Sequence, residues 1–133
     1  MSVIGHGISL IDVIRINEII EQQGQCLERH CLTMTERDFA RFRTKKIQYL
    51  ASRLAAKKAV VRALGQDGKS VLWLEIEIQR LPTGKPFVVL YGSTLKAATE
   101  LDIDKWLLSI SHTPAYATAT AIALGGEAPI LKY

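Results

Sequence analysis

Four cations stand within one stretch, Ser52 to Gly65 ("SRLAAKKAVVRALG"): Arg53, Lys57, Lys58 and Arg62. Lysine and arginine hold phosphate oxygens through charge-assisted hydrogen bonds, so such a row suits a phosphate-bearing ligand. On a helical wheel of about 100° per residue with Leu54 at zero, Ile47, Leu50, Val61 and Lys58 all fall within about 40° of it. Lys57, Arg53 and Arg62 lie toward the edges of this apolar stripe, where a lysine or arginine stem can rest on the protein with its charge in water. Lys58 lies inside the stripe, on a face built for a core. Two further candidates follow. His112 stands beside Thr113 and Pro114 at a strand end, a place where binding groups concentrate, and Lys85 occupies the turn "TGKP". Gly5–His6–Gly7 either lets a backbone approach a ligand or marks a tight strand.

The elements that must position these residues follow from spacing. Val3 to Ile11 reads as a first strand, and Asp12 to Gln23 as a helix with Val13, Ile16, Ile19 and Ile20 at helical spacing and Gly24 as its stop. Thr33 and Glu36 have capping-box spacing for a short helix, Thr35 to Phe42. Lys45 to Leu64 is one long helix closed by Gly65. Leu72 to Ile78 ("LWLEIEI") alternates as a half-exposed strand does, and "LPTG" turns the chain into Lys85 to Tyr91. Ser93 is placed to cap a helix to Leu101. Trp106 to Ser111 and Tyr116 to Leu124 are two more strands joined around "HTPA", and Gly125 to Tyr133 reads as a tail. This order implies an α+β fold with a largely antiparallel sheet and one long helix, in a single domain over residues 1–133.

Composition narrows the function classes. The chain has 133 residues, 48% of them hydrophobic, enough for one core. No apolar run approaches membrane-spanning length, and the N-terminus lacks a secretory pattern. Two cysteines, Cys26 and Cys31, make neither a disulfide framework nor a zinc site, so reduced thiols in the cytoplasm are the simplest reading. The net charge of +4 fits an anionic partner. Without a basic tail, an aromatic–glycine RNA motif or zinc-finger spacing, nucleic acid is an unlikely one.

Five segments, "GHGISLIDVIRI", "LTMTE", "SRLAAKKAVVRALG", "TGKP" and "SISHT", occur in one order across nearly the whole chain. Together they resemble the holo-[acyl-carrier-protein] synthase family of small trimeric 4′-phosphopantetheinyl transferases. The resemblance implies transfer of the phosphopantetheine arm of coenzyme A to a serine of acyl carrier protein, as in fatty acid biosynthesis, with release of adenosine 3′,5′-bisphosphate. It implies a homotrimer whose clefts between subunits hold coenzyme A, and a Mg²⁺ bridging the pyrophosphate to two carboxylates. Carried over residue by residue, it assigns Arg53, Lys57, Gly84, Lys85, Pro86, Ser111, His112 and Thr113 to coenzyme A. It assigns Lys58, Arg62 and His112 to the reacting centre, and Arg15 to the acidic carrier protein.

The departures lie at the metal. The family's first-strand Gly-x-Asp is here Gly7–Ile8–Ser9, and its Ala-Ala-Lys-Glu-Ala is Ala55–Ala56–Lys57–Lys58–Ala59. Serine and lysine are not the hard anionic donors that Mg²⁺ takes, so no metal is expected on Ser9 and Lys58. Three readings of Lys58 follow: counter-charge to the pyrophosphate in place of the metal, relic of a homologue that binds coenzyme A or carrier protein without metal-dependent transfer, or salt-bridge partner of Asp12 or another acid.

Overall fold

The computed structural model describes residues 1–66 and 68–126. The chain runs β1 (Ser2–Asp12), α1 (Val13–Gln23), α2 (Cys26–Cys31), α3 (Met34–Arg41), α4 (Lys46–Ala63), a 3-10 turn (Trp73–Glu75), β2 (Ile76–Arg80), β3 (Pro86–Leu90), α5 (Gly92–Glu100), β4 (Ile103–His112) and β5 (Tyr116–Gly125). All strand pairs are antiparallel, in a three-stranded sheet ordered β1-β5-β4 and a separate β2-β3 hairpin. The α+β expectation holds, with two sheets rather than one. Among the described residues no helix is long and apolar enough to cross a membrane.

Helix α4 is the centre of the packing. It touches all three strands of the larger sheet on one side and α1, α3 and β2 on others. Every residue from Tyr49 to Lys57 on it is buried. The amphipathic reading of this helix therefore gives way to a nearly all-round one, because an element enclosed by several neighbours has no solvent face to keep polar.

The contact with the sheet is unusually close. A Cβ added at Gly5 would stand 2.0 Å from the Ala63 carbonyl oxygen, and one at Gly7 2.1 Å from that of Ala59. Opposite, β5 presents Ala117, Ala119, Ala121 and Ala123 inward, each at most 1% exposed. The glycine pair thus marks a tight strand, and the element that approaches it is the chain's own helix. The other face of the sheet carries Ile8 and Leu10, 61% and 65% exposed, with Leu107 two strands away.

Local chemistry explains most boundaries. Asp12 caps α1, its Oδ1 accepting from the Ile14 and Arg15 amides at 2.9 and 3.2 Å. Thr33 and Glu36 form the expected reciprocal capping box, which starts α3 one residue earlier than expected. Gly24 and Gly65 take positive φ where α1 and α4 end. Three readings change. Cys26–Cys31 is a helix that periodicity does not reveal, being only six residues long. "LWLEIEI" splits into the 3-10 turn and a strand in which Ile76, Glu77 and Ile78 are all buried. Glu77 accepts there from the Thr33 hydroxyl at 2.5 Å and the Tyr91 hydroxyl at 3.2 Å, so its polarity signals an internal partner rather than solvent. Ser93 does not cap α5 but donates to Glu75 Oε1 at 2.8 Å, and the same oxygen accepts from the Thr94 amide at 2.8 Å. These bonds hold the Glu75 carboxyl below the usual range. Most of the tail expected from Gly125, residues 127–133, lies outside the described residues.

Gly7→Ala places a methyl group where the Ala59 carbonyl already stands. Overpacking of this kind costs about 1–3 kcal/mol, and the backbone-on-backbone contact puts the expected loss at the upper end or beyond. Urea denaturation measures it. A loss within experimental error would mean that α4 is free to move off the sheet.

Candidate functional site

Lys57 and Lys58, adjacent in sequence, have opposite environments. Lys57 is 0% exposed, and its ammonium donates to Glu36 Oε1 at 2.6 Å, the Cys31 carbonyl at 2.5 Å and the Trp73 carbonyl at 2.9 Å. Burial pushes this lysine below its ordinary range against the upward pull of Glu36. Glu36 is also fully buried, and its other oxygen accepts from the Ile78 amide at 2.9 Å. All three lysine donors are consumed, so Lys57 binds the fold and not coenzyme A. This corrects both the wheel, which put Lys57 at a solvated edge, and the assignment carried over by resemblance. The wheel used only α4's own pattern, whereas the acceptors come from α2, α3 and the 3-10 turn.

Lys58 is half-buried instead. It shares a recess of about 230 Å³ with Val61, Arg62, Lys69 and Val71. Arg62 lies at its exposed edge, with Nη1 donating to the Ile8 carbonyl at 2.5 Å. The described lining of this recess holds three cations and no carboxylate. Lys58 does not pair with Asp12. The four ion pairs among the described residues are elsewhere, and Asp12 is occupied as a helix cap.

A second recess, about 210 Å³, opens near the other end of α4, lined by Arg43, Thr44, Lys45, Gln48, Tyr49, Ser52, Arg53, Arg80 and His112. Its described lining has no carboxylate either. Arg53 is 2% exposed and lies over the Tyr49 ring, 4.4 Å from its centroid, while its Nε and Nη1 have no hydrogen-bond partner among the described residues. Buried donors without acceptors cost stability, and an anion in the recess would supply them. Burial first, then repulsion from Arg53 and Arg43, lowers the Arg80 guanidinium below its ordinary range. These mutually repelling cations have the electrostatics of an anion site. Arg53 and His112 were legible from sequence. Arg43, Lys45 and Arg80 were missed, although a signal existed. "FRTKK" puts cations ahead of α4, whose first turn has no acid, and cations there oppose the helix dipole unless something anionic joins them.

The remaining candidates lie outside this lining. Gly84, with φ of 91°, and exposed Lys85 form the β2–β3 turn, which Pro86 leaves as the first residue of β3. The turn is tied to the recess through Arg80, whose Nη1 donates to the Gly84 carbonyl at 2.9 Å. Ser111 is exposed near the end of β4, and Thr113 shapes the following turn, its hydroxyl accepting from the Tyr116 amide at 3.0 Å. Arg15 is exposed on α1 and paired with Glu18 at 3.5 Å.

The structure does not bring the two recesses together. Nine residues separate Arg53 from Arg62, which is about 13 Å along a helix and roughly half a turn around it. The two recesses therefore lie on opposite sides of α4.

The residues present do not fit the Mg²⁺ that the family resemblance implies. Ser9 is 2% exposed and its hydroxyl donates to the Ala55 carbonyl, so it is both neutral and committed. Lys58 repels a cation. Among the described residues no group of three or more His, Cys, Asp or Glu side chains could hold a metal ion.

Comparison with known proteins bears on these recesses. No protein-family model matches the chain. A holo-[acyl-carrier-protein] synthase of Caldanaerobacter subterraneus subsp. tengcongensis is 40% identical over 121 residues, covering 91% of this chain and 94% of the relative. The crystal structure of the holo-[acyl-carrier-protein] synthase of Neisseria meningitidis superimposes with a TM-score of 0.86 at 27% identity, covering 92% of this chain and 99% of that one. A complex of the Chronobacterium ammoniagenes enzyme with coenzyme A gives 0.78 at 29% identity, covering 92% and 98%.

Lys57→Ala is expected to lose about 3–5 kcal/mol of folding stability, because it leaves Glu36 buried without a counter-charge. Lys58→Ala, at a half-buried site with no partner in the core, is expected to lose under about 1 kcal/mol. Parallel denaturation curves check the pair, and equal losses would remove the distinction between them.

Proposed function

As the chain belongs to the holo-[acyl-carrier-protein] synthase family, we propose that it transfers the 4′-phosphopantetheine arm of coenzyme A to a serine of acyl carrier protein in the cytoplasm. The observation that carries this reading is the recess around Arg53, with no carboxylate in its described lining and with buried guanidinium donors that lack hydrogen-bond partners among the described residues. Coenzyme A brings the phosphates those donors require. Arg53 and Arg80 hold phosphate, Lys85 and Thr113 flank it from the adjoining turns, and His112 at the end of β4 closes the polar side.

In the transfer, the carrier-protein serine oxygen attacks the phosphorus bearing the pantetheine. The bond from that phosphorus to the bridging oxygen breaks, and adenosine 3′,5′-bisphosphate leaves as the serine gives up its proton. Such reactions depend chiefly on positioning and on charge stabilisation, which fixed cations supply. Arg62, tethered to β1, and Lys58 contribute that charge from the other half-site. Arg15 meets the acidic carrier protein.

Two half-sites on opposite sides of one helix work only if different subunits supply them. The exposed row of Ile8, Leu10 and Leu107 gives the sheet an apolar outer face for that purpose. We place the assembly as a homotrimer with three shared clefts. The alanines of β5 face α4, and the Thr118–Thr120–Ile122 face is the one turned outward.

A second reading, a homologue that binds coenzyme A or carrier protein without transfer, is favoured by the loss of both metal carboxylates at Ser9 and Lys58. Incubation with coenzyme A and apo carrier protein, followed by mass spectrometry, separates the two. The first reading expects the carrier protein to gain one phosphopantetheinyl group, and the second expects an unmodified carrier in the presence of bound coenzyme A. Arg53→Ala removes hydrogen bonds to charged groups worth about 1.5–3 kcal/mol, so its Kd for coenzyme A should rise roughly tenfold or more. Light scattering should give three times the chain mass at micromolar concentration, and Leu10→Glu should return the monomer. A wild-type monomer would count against the shared cleft.

A further inference from the structure

We propose that a third recess, between α2, α3 and the start of α4, binds the terminal phosphate of a small phosphate monoester. The recess is about 290 Å³ and is lined by Gln25, Glu28, Arg29, Arg37, Arg41 and Lys46. It shares no lining residue with the Arg53 recess, and the inference does not rest on the transferase reading.

Three observations carry it. First, the charge is unbalanced. The described lining holds three arginines and a lysine against one carboxylate, and that carboxylate, Glu28, already pairs with Lys46 at 3.2 Å. Asp38 pairs with Arg41 at 3.4 Å, but both side chains are largely exposed, so the pair does little to hold either charge. Second, the Nε of Arg37 is buried and has no hydrogen-bond partner among the described residues. A buried donor without an acceptor is costly, and a ligand oxygen in the recess would supply one. Third, Arg37 and Arg41 stand four residues apart on α3, so they share a face and repel each other. Arg41 in the last turn is explained by the helix dipole, whereas Arg37 in the middle of α3 is not.

The type of cation selects the anion. Guanidinium is a planar fork that meets phosphate oxygens in pairs. Three guanidiniums arriving from two helices suit the three terminal oxygens of a monoester, whereas a carboxylate offers two oxygens in one plane. The volume is close to the lower limit of ligand pockets, roughly 300 Å³, which suits a small molecule. Such a ligand would tie α2 to α3 and both to Lys46 on α4. Lys45, one residue earlier, lines the Arg53 recess, so the two sites attach to successive residues at the start of one helix.

The test is calorimetric titration of the full chain with inorganic phosphate and with methyl phosphate, at an ionic strength held constant with chloride. Arg53→Ala is titrated beside the wild type, so that phosphate in the Arg53 recess does not mask the third one. The expected result is that Arg53→Ala still binds both probes, at one site per chain. Arg37→Gln and Arg41→Gln, each added to that background, should raise the Kd roughly tenfold or more. In the wild-type background each should remove one of two sites, which decides the matter if Arg53→Ala does not fold. Arg41 is exposed, so its variant decides it if Arg37→Gln does not fold. No binding to Arg53→Ala, or binding that neither glutamine alters, overturns the inference. Binding of inorganic phosphate but not methyl phosphate overturns it too, since the site would then exclude an organic group. If Arg37→Gln weakens only the affinity for acyl carrier protein, the arginines serve an acidic protein surface and the phosphate site is again overturned.

Discussion

Helix α4 lies against β1 and β5 with little more than methyl groups between the backbones. That spacing is set by absence: no side chain at Gly5 and Gly7, and single carbons along the inner face of β5. Close-packed interiors transmit displacement because they have no slack to absorb it. A helix seated this closely cannot slide or roll, and it carries cations of both recesses. The exact placement of Arg53 at one end and Lys58 and Arg62 at the other is a consequence of the glycine and alanine contacts on the sheet.

The second restraint is polar. Glu36 closes the capping box of α3, pairs with Lys57 of α4 and accepts the Ile78 amide of β2. One carboxylate thereby joins two helices and a strand. A buried ion pair gives up much hydration, and its return comes only when every donor and acceptor is met. Here the carbonyls of Cys31 and Trp73 meet the remaining lysine donors. The β2–β3 hairpin, which places Arg80, is thus anchored to the same helix that places Arg53.

Much of this was legible from the chain alone. The Thr33–Glu36 spacing, the glycines after α1 and α4, and the strand-turn-strand pattern around "HTPA" are local signals with local causes, and they located their elements to within a few residues. The short helix Cys26–Cys31 has no periodicity to read, and β2 looked half-exposed because Glu77 and Glu75 are polar. The direction in which Lys57 points was not legible either, since its acceptors arrive from three distant segments. The anion recess was half legible: Arg53 and His112 belong to recognisable motifs, while Arg80 joins them only through the folding of the hairpin.

The adjacency of Lys57 and Lys58 has an evolutionary corollary. One is inseparable from the core and the other lines a surface recess, so neighbouring codons face unrelated selection. Position 58 can accept a change of charge at little cost to folding, because the architecture is secured one residue earlier. A scaffold arranged in this way permits its electrostatics to be rewritten while its shape is inherited intact.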